Sequence, residues 1–219
     1  MSTTLADLRL MTRELADIVS SSFVTTAELD RYINQVGSEL HEKLVVRYED
    51  YFTSPTPTTF SLSGSTNTYA LPSDFFKLRG VDYSDGGTWV SVHRYQHEER
   101  DRFVRPTYYT YGGEERRFTV MGNSIVVAPE SNAAGDYRFW YVPKWTNLSA
   151  SSEPLPTAME QWAEYIQVGA AIKCMLKEES DASALIMRKR ELDARIDANA
   201  QNRDAHDQEM ILSTGWSWW

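Results

Sequence analysis

Apolar residues recur at helical spacing in the first quarter of the chain. Between residues 4 and 19 they follow one another in three- and four-residue steps, which predicts a first amphipathic helix. A second helix is predicted from Thr25, which forms a capping box with Glu28, to about Tyr51, before the proline-rich segment TSPTPTT. These helices make up a predicted N-terminal segment, residues 1–55. The apolar stripe of the second helix consists of Leu29, Ile33, Val36, Leu40 and Leu44.

Helical spacing returns in the last third of the chain. Residues 158–178 are apolar on much of their circumference, which predicts a helix packed against more than one neighbour. A capping box of Thr157 and Glu160 is predicted to start this helix, and Asp181 is the expected N-cap of the next one. Together they form a predicted C-terminal helical segment, residues 151–209. The last helix carries a narrower stripe of Leu185, Ile186, Leu192 and Ile196, with Lys189 on the same stripe.

The middle of the chain, residues 58–145, has short runs of β-type residues, which predict six or seven strands. Glycines in SDGG and in Gly122-Asn123 predict two hairpins, because glycine accepts the positive φ angles of tight turns. The spacing of a βαβ sheet is absent. The predicted fold class is therefore α+β: a helical bundle formed by N- and C-terminal helices, with a small antiparallel β-barrel or sandwich inserted at residues 56–150.

Composition narrows the possible functions. The chain has 219 residues, a net charge of -9 and no apolar run long enough to span a membrane, so a cytoplasmic product is expected. The acidic balance disfavours phosphate-driven nucleic-acid binding, but it suits a surface that DNA slides past. The single cysteine, Cys174, excludes a disulfide framework within the chain and is expected to be a small buried hydrophobe.

Candidate catalytic and metal-binding chemistry is weak. His93 and His97 stand four residues apart, but Asp101 occupies the place of the second histidine in an H-E-x-x-H motif, and a solvated loop is favoured over a metal site. His41 and His206 lie on helical faces beside charged residues, as solvated histidines do. The sequence has no nucleophile elbow, Walker A loop or G-x-G-x-x-G motif. No enzymatic activity, catalytic residue, cofactor or metal is therefore predicted.

Aromatic residues are concentrated in or beside the β-rich part. They could form a sugar-binding platform, and an aromatic carbohydrate-binding module remains an alternative interpretation. Packing in the core and at interfaces is favoured, because aromatic side chains bury the most area and are enriched at interfaces. These residues are Tyr108, Tyr109, Tyr111, Trp140, Tyr141 and Trp145.

The stretch MILSTGWSWW, residues 210–219, turns apolar after a long polar helix, and it is called the aromatic segment below. Three tryptophans left in water would promote aggregation. The segment therefore either folds back on its own subunit or docks into another chain. Docking is favoured, since tryptophan is a leading hot-spot residue and an extended segment can add a strand to a neighbour's sheet. The predicted partner-binding residues are Met210, Ile211, Leu212, Trp216, Trp218 and Trp219.

The stretch YALPSDFFKLRGVDY, residues 69–83, has the pattern of a strand end, a turn and a second strand. Proline fixes φ in the turn, and Asp74 is expected to cap nearby backbone N–H groups. The stretch carries no nucleophile–base pair and no metal-ligand spacing, so its expected role is architectural. The residues of this insert turn are Tyr69, Leu71, Pro72, Asp74 and Phe75.

Three segments resemble the head–tail adaptor, or connector, proteins of tailed bacteriophages. Residues 23–45, FVTTAELDRYINQVGSELHEKLV, are similar to that family's second helix. The insert turn matches its Tyr-x-Leu-Pro-x-Asp-Phe pattern. Residues 124–148, SIVVAPESNAAGDYRFWYVPKWTNL, are similar to its strand, proline turn and exit. The resemblance covers nearly the whole chain in the same order.

The resemblance implies a structural virion protein at the head–tail interface, the neck. It implies a homo-oligomeric ring, usually of twelve copies, beneath the portal protein, which extends the channel through which double-stranded DNA passes without sequence-specific binding. The aromatic segment would insert into the portal, and a stopper, a nozzle or another tail component would dock next. The alternative within this class is another ring-forming neck or tail protein, such as a tail terminator or head-completion protein.

Overall fold

The computed structural model describes residues 2–19, 23–48, 50–100 and 116–199. The predictions made for the aromatic segment, for Asp101 and His206 and for Tyr108, Tyr109 and Tyr111 lie outside these residues. The chain divides into two compact units. The helical unit holds the described residues up to Tyr51 and from Trp145 onward, and the β unit is Phe52–Lys144. No helix in the described ranges combines the length and apolar character needed to cross a membrane.

The first two helices of the helical unit start at capping boxes. Thr25 and Glu28 form the predicted capping box. A second box, of Thr4 and Asp7, starts the first helix. Each box satisfies two backbone N–H groups that the helix leaves unpaired. The helices are α1 (Leu5–Leu15), α2 (Thr26–Arg47), α3 (Thr157–Glu160), α4 (Ala163–Lys177) and α5 (Ser183–Asn199).

Helix α4 packs against α1, α2 and α5, as its apolar circumference predicts. Gly169 makes the closest approach to α2, because its missing side chain leaves room for Val36. Cys174 is buried, as expected of a small hydrophobe. The α5 stripe is buried at Leu192 and Ile196, whereas Ile186 is 36% exposed.

One predicted helix is interrupted, and two predicted N-caps are wrong. The helix predicted over residues 158–178 is interrupted after Glu160, where Trp162 adopts a non-helical conformation. Thr157 does not cap it, because Thr157 is already helical and Pro156 is the N-cap, without a side-chain hydrogen bond. Asp181 lies one residue before the N-cap position, although its carboxylate accepts the Ser183 backbone N–H at 2.9 Å.

The described residues of the β unit form one seven-stranded sheet. Both predicted hairpin turns are confirmed: Gly86, Gly87 and Gly122 have positive φ angles of 57°, 96° and 57°. The strand order is β1-β7-β3-β4-β5-β6-β2. The strands are β1 (Thr58–Leu62), β2 (Thr68–Ala70), β3 (Phe75–Asp85), β4 (Thr88–Arg94), β5 (Arg117–Met121), β6 (Ser124–Ala128) and β7 (Gly135–Pro143).

The prediction of a purely antiparallel sheet is wrong at one position. Strands β4 and β5 pair in parallel, with His93 opposite Arg117 and Arg94 opposite Phe118. The connection between them runs from Tyr95 to Arg116, which is long enough to bring β5 back in the same direction. The protein is therefore α+β with a mixed, barrel-like sheet.

The barrel nearly closes where the two end strands of the sheet, β1 and β2, lie side by side. The Phe60 ring on β1 stacks on the Tyr69 ring on β2, with centroids 4.2 Å apart and an interplanar angle of 20°. Phe60 also stacks on Tyr137 of β7 at 5.2 Å. Aromatic stacking thus joins the two edges that share no backbone ladder.

Candidate functional site

The insert turn is held by backbone hydrogen bonds on both sides. Within it, the Phe75 N–H donates to the Pro72 carbonyl at 3.1 Å. Before it, the Leu71 N–H donates to the Asn123 carbonyl at 2.9 Å, in the hairpin between β5 and β6. After it, the Asp74 carbonyl accepts the Lys144 N–H at 2.6 Å, at the end of β7. The turn therefore joins two parts of the sheet that are far apart in sequence.

The Asp74 carboxylate binds a side chain and not the backbone. Its expected role as a cap of backbone N–H groups is therefore wrong among the described residues. Its carboxylate accepts the Tyr141 hydroxyl at 3.1 and 3.2 Å. Burial raises the pKa of Tyr141, and this hydrogen bond raises it further. The Phe75 ring stacks on the same tyrosine, with centroids 5.8 Å apart.

Two further insert-turn residues, Tyr69 and Leu71, belong to the barrel core. Leu71 is buried, and Tyr69 packs on the core cluster beside Phe60 and Phe139. Asp74 and Phe75 thus fix the start of β3 against β7 through Tyr141, whereas Tyr69 and Leu71 anchor the turn in the core. Their arrangement supports an architectural role.

A charged and aromatic cluster lies on β3, β4 and β7, and of its residues the sequence analysis singled out only Trp140. Asp82 is 9% exposed and accepts the Arg138 Nε–H at 2.7 Å and the Ser91 hydroxyl at 3.0 Å. The Arg138 guanidinium lies over the rings of Trp89 and Trp140, 4.6 and 5.7 Å from their centroids. The cluster forms a face on which Trp89 stays 37% exposed.

Strand pairing explains why sequence reasoning missed this face. Asp82 is opposite both Ser91 on β4 and Arg138 on β7. The alternation in DYRFWYVP placed Arg138 and Trp140 on one side of a strand, but it does not give the register of the neighbouring strands. An ion pair between strands 56 residues apart in sequence is decided only by that register.

Ion pairs also join α2 to α5. Glu39 pairs with Lys189 at 3.1 Å, and two further pairs join Lys43 to Asp193 and Arg47 to Asp197. Both partners advance by four residues from one pair to the next, so α2 and α5 run parallel along this row. Half-exposed pairs of this kind contribute little stability individually, but they fix the spacing of two helices.

One of the described histidines is buried. The expectation that His41 is solvated is wrong: it is 6% exposed and lies against the Trp145 ring, 6.4 Å between centroids. Burial lowers its pKa. Among the described residues, no group of three or more histidine, cysteine, aspartate or glutamate side chains has metal-binding geometry.

The comparison with known protein families covers both units. The model of the family described as SU10 adaptor protein matches residues 3–211. The chain belongs to this family. No curated protein matches the sequence.

Membership of the SU10 adaptor family confirms the resemblance to phage head–tail adaptors. It indicates a structural adaptor protein of a bacteriophage, located in the neck of the virion, that interacts with other virion components. A structural family of this kind favours a non-enzymatic role. The family match ends at Ile211, so Trp216, Trp218 and Trp219 lie beyond it.

Proposed function

We propose that this protein is the head-to-tail adaptor of a phage neck and forms a ring of twelve copies, the number implied by the resemblance. The ring binds beneath the portal protein, extends the DNA channel and docks a stopper, nozzle or other tail component. The match of the SU10 adaptor family over residues 3–211 carries this proposal. It includes both the helical unit and the β unit.

Each of the four segments of the chain has its own proposed role. Residues 1–55 and 151–209 form a helical bundle, residues 56–150 form the inserted β domain, and residues 210–219 dock into the portal or a neighbouring subunit. The contacts of α4 with α1, α2 and α5 support the bundle. The proposed docking residues are Met210, Ile211, Leu212, Trp216, Trp218 and Trp219.

The acidic composition supports the passage of DNA through the ring. The chain carries 31 acidic residues against 22 lysines and arginines. A lumen with an excess of carboxylates repels the phosphate backbone, so packaged DNA slides through without being held. Binding is then independent of DNA sequence, as a channel requires.

Deletion of residues 210–219 tests the docking role. The truncated chain is expected to keep the fold of the full chain, as judged by its far-ultraviolet circular dichroism spectrum, but to lose binding to the purified portal protein. A matched control replaces Trp89 by alanine, which removes an exposed tryptophan from the β unit and keeps the segment. Full portal binding by the truncated chain would contradict the docking role.

Cryo-electron microscopy of the neck, reconstructed first without imposed symmetry, tests the ring itself. A ring of this chain between portal and tail is the expected result. A position on the head-proximal end of the tail tube, without contact to the portal, would favour the terminator alternative instead. Absence of the chain from the particle would overturn the adaptor proposal.

A further inference from the structure

A groove of about 470 Å³ lies between α2 and α5, within the helical unit. Its floor is the Tyr165 ring of α4, and the Nζ atoms of Lys43 and Lys189 lie 5.2 and 5.0 Å from the centroid of that ring. The volume is within the range of about 300–1,000 Å³ that is typical of ligand-binding clefts. The groove is therefore large enough for bulky side chains.

The walls of this α2–α5 groove offer both apolar and polar contacts. Val46 of α2 is 71% exposed at its rim, which is a large exposed fraction for a branched apolar residue. Glu42 also lines the groove and makes no ion pair with another described residue. The two lysines, in contrast, are paired with Glu39 and Asp193, so the groove carries both signs of charge.

This combination suits the indole side chain. An indole face attracts a nearby ammonium group, as Lys43 and Lys189 provide. Its N–H is a donor for which the Glu42 carboxylate is an acceptor. Its apolar body covers Val46 and the aliphatic stems of the lysines. Three carboxylates and two ammonium groups line the groove, and a tryptophan-rich segment without charged side chains adds no further charged side chain to them.

The aromatic segment has this composition and follows α5 in the chain. MILSTGWSWW contains three tryptophans and no lysine, arginine, aspartate or glutamate. From Asn199 back to Lys189 the helix rises only about 15 Å. Residues 200–215 span about 50 Å when extended, so they are long enough to return Trp216 to the groove of the same subunit.

We propose that, before assembly, the aromatic segment (residues 210–219) occupies the α2–α5 groove of its own subunit and leaves it to dock into a partner. The regulatory part of this inference rests on the proposed docking function of the segment. In the free chain the groove shields the tryptophans from water and prevents premature contacts between copies. Binding to the partner then replaces one set of indole contacts by another.

Disulfide trapping in the full chain tests the location. Val46→Cys is combined with Ser217→Cys, and oxidised glutathione is the oxidant. The native Cys174 does not compete, because it is buried and burial raises its pKa to about 11. The matched control pairs Ser217→Cys with Met187→Cys, which is 65% exposed on α5 but does not line the groove.

We expect the Val46–Ser217 pair to close within one chain at least about tenfold faster than the control, at a rate independent of protein concentration. Adding Trp218→Ala to this pair should slow closure. Equal rates in the groove and control pairs, or disulfide-linked dimers as the main product, would overturn the location. Closure that is unaffected by Trp218→Ala would overturn the role of the tryptophans.

Portal binding tests the regulation. The oxidised Val46–Ser217 chain should lose binding to the purified portal protein, and reduction should restore it. Full binding by the oxidised chain would contradict the release step. Should the wild-type chain itself fail to bind the portal, the proposed docking function is wrong, while the trapping rates still decide whether the segment occupies the groove.

Discussion

Gly169 of α4 lies so close to Val36 of α2 that a β-carbon on the glycine would stand 2.6 Å from Val36 Cγ1. Real β-carbons do not approach other atoms so closely, and Val36 is itself fully buried. The contact therefore sets the distance between the two helices. Glycine is a poor helix former, and here its cost is offset by the close packing that it permits.

Gly169→Ala is expected to destabilise the helical unit. Alanine has a helix propensity about 1 kcal/mol more favourable than that of glycine, but overpacking a core costs about 1–3 kcal/mol, so the net loss of stability is at most about 2 kcal/mol. Urea unfolding followed by far-ultraviolet circular dichroism measures it. When Val36 is already replaced by alanine, Gly169→Ala should cost less stability than it does in the wild type. Strictly additive effects of the two substitutions would show that this contact does not set the spacing.

Asp82→Ala is expected to lower the free energy of unfolding of the β unit by about 1.5–3 kcal/mol, because it removes a charge-assisted hydrogen bond from the partly buried Arg138. The near-ultraviolet circular dichroism of the tryptophans over which Arg138 lies should weaken as well. The control is Asp136→Ala on β7, whose carboxylate accepts the Ser61 hydroxyl at an exposed position. A larger loss for the control would contradict this assignment.

Glu28 predicts a loss of stability in acid. Hydrogen bonds from Lys177 and from Thr25 lower its pKa to about 2 in the folded chain, below its ordinary value of 4.5. The folded state therefore favours the carboxylate. This stabilisation is complete above pH 4.5 and is lost as the pH falls towards 2.

Glu28→Gln separates this charge effect from capping, since glutamine also serves in a capping box. The variant should melt at a lower temperature than the wild type at pH 7, and the difference should shrink as the pH is lowered from 4.5 to 2.5. Glu14→Gln, at an exposed position of α1, is the control and should leave the melting temperature nearly unchanged at pH 7. A difference that stays constant with pH would rule out the ion pair as the cause.

Tyr137 predicts a complementary loss of stability in alkali. Burial raises the pKa of this fully buried tyrosine to about 12, and its hydroxyl donates to the Ala133 carbonyl at 2.8 Å. The unfolded chain releases this proton near the ordinary value of 10. Stability from this group is therefore present below pH 10 and is lost as the pH rises towards 12.

The difference in absorbance at 295 nm between the wild type and Tyr137→Phe should show this ionisation near pH 12 in the folded chain and near pH 10 in urea. The same variant should lose about 1 kcal/mol of stability at neutral pH, because the Ala133 carbonyl is left without its donor. A folded-state transition near pH 10 would mean that the tyrosine is accessible to water.

The sequence alone determined the elements and most of their starts. Several elements depend only on neighbours within a few residues, so the sequence pattern is enough to predict them. They include the Thr25–Glu28 capping box, the glycine turns at Gly86-Gly87 and Gly122, and the strand DYRFWYVP. The resemblance carried by residues 23–45, 69–83 and 124–148 likewise lies in local patterns, and the family match confirms it.

Only the tertiary structure decided the pairings between distant segments. The parallel pairing of β4 with β5, the Asp82–Arg138 ion pair and the burial of His41 under Trp145 each join residues that are far apart in sequence. The contact of Gly169 with Val36 belongs to the same group. Such contacts depend on strand register and helix spacing, which arise from packing the whole unit and leave no periodic trace in any single segment.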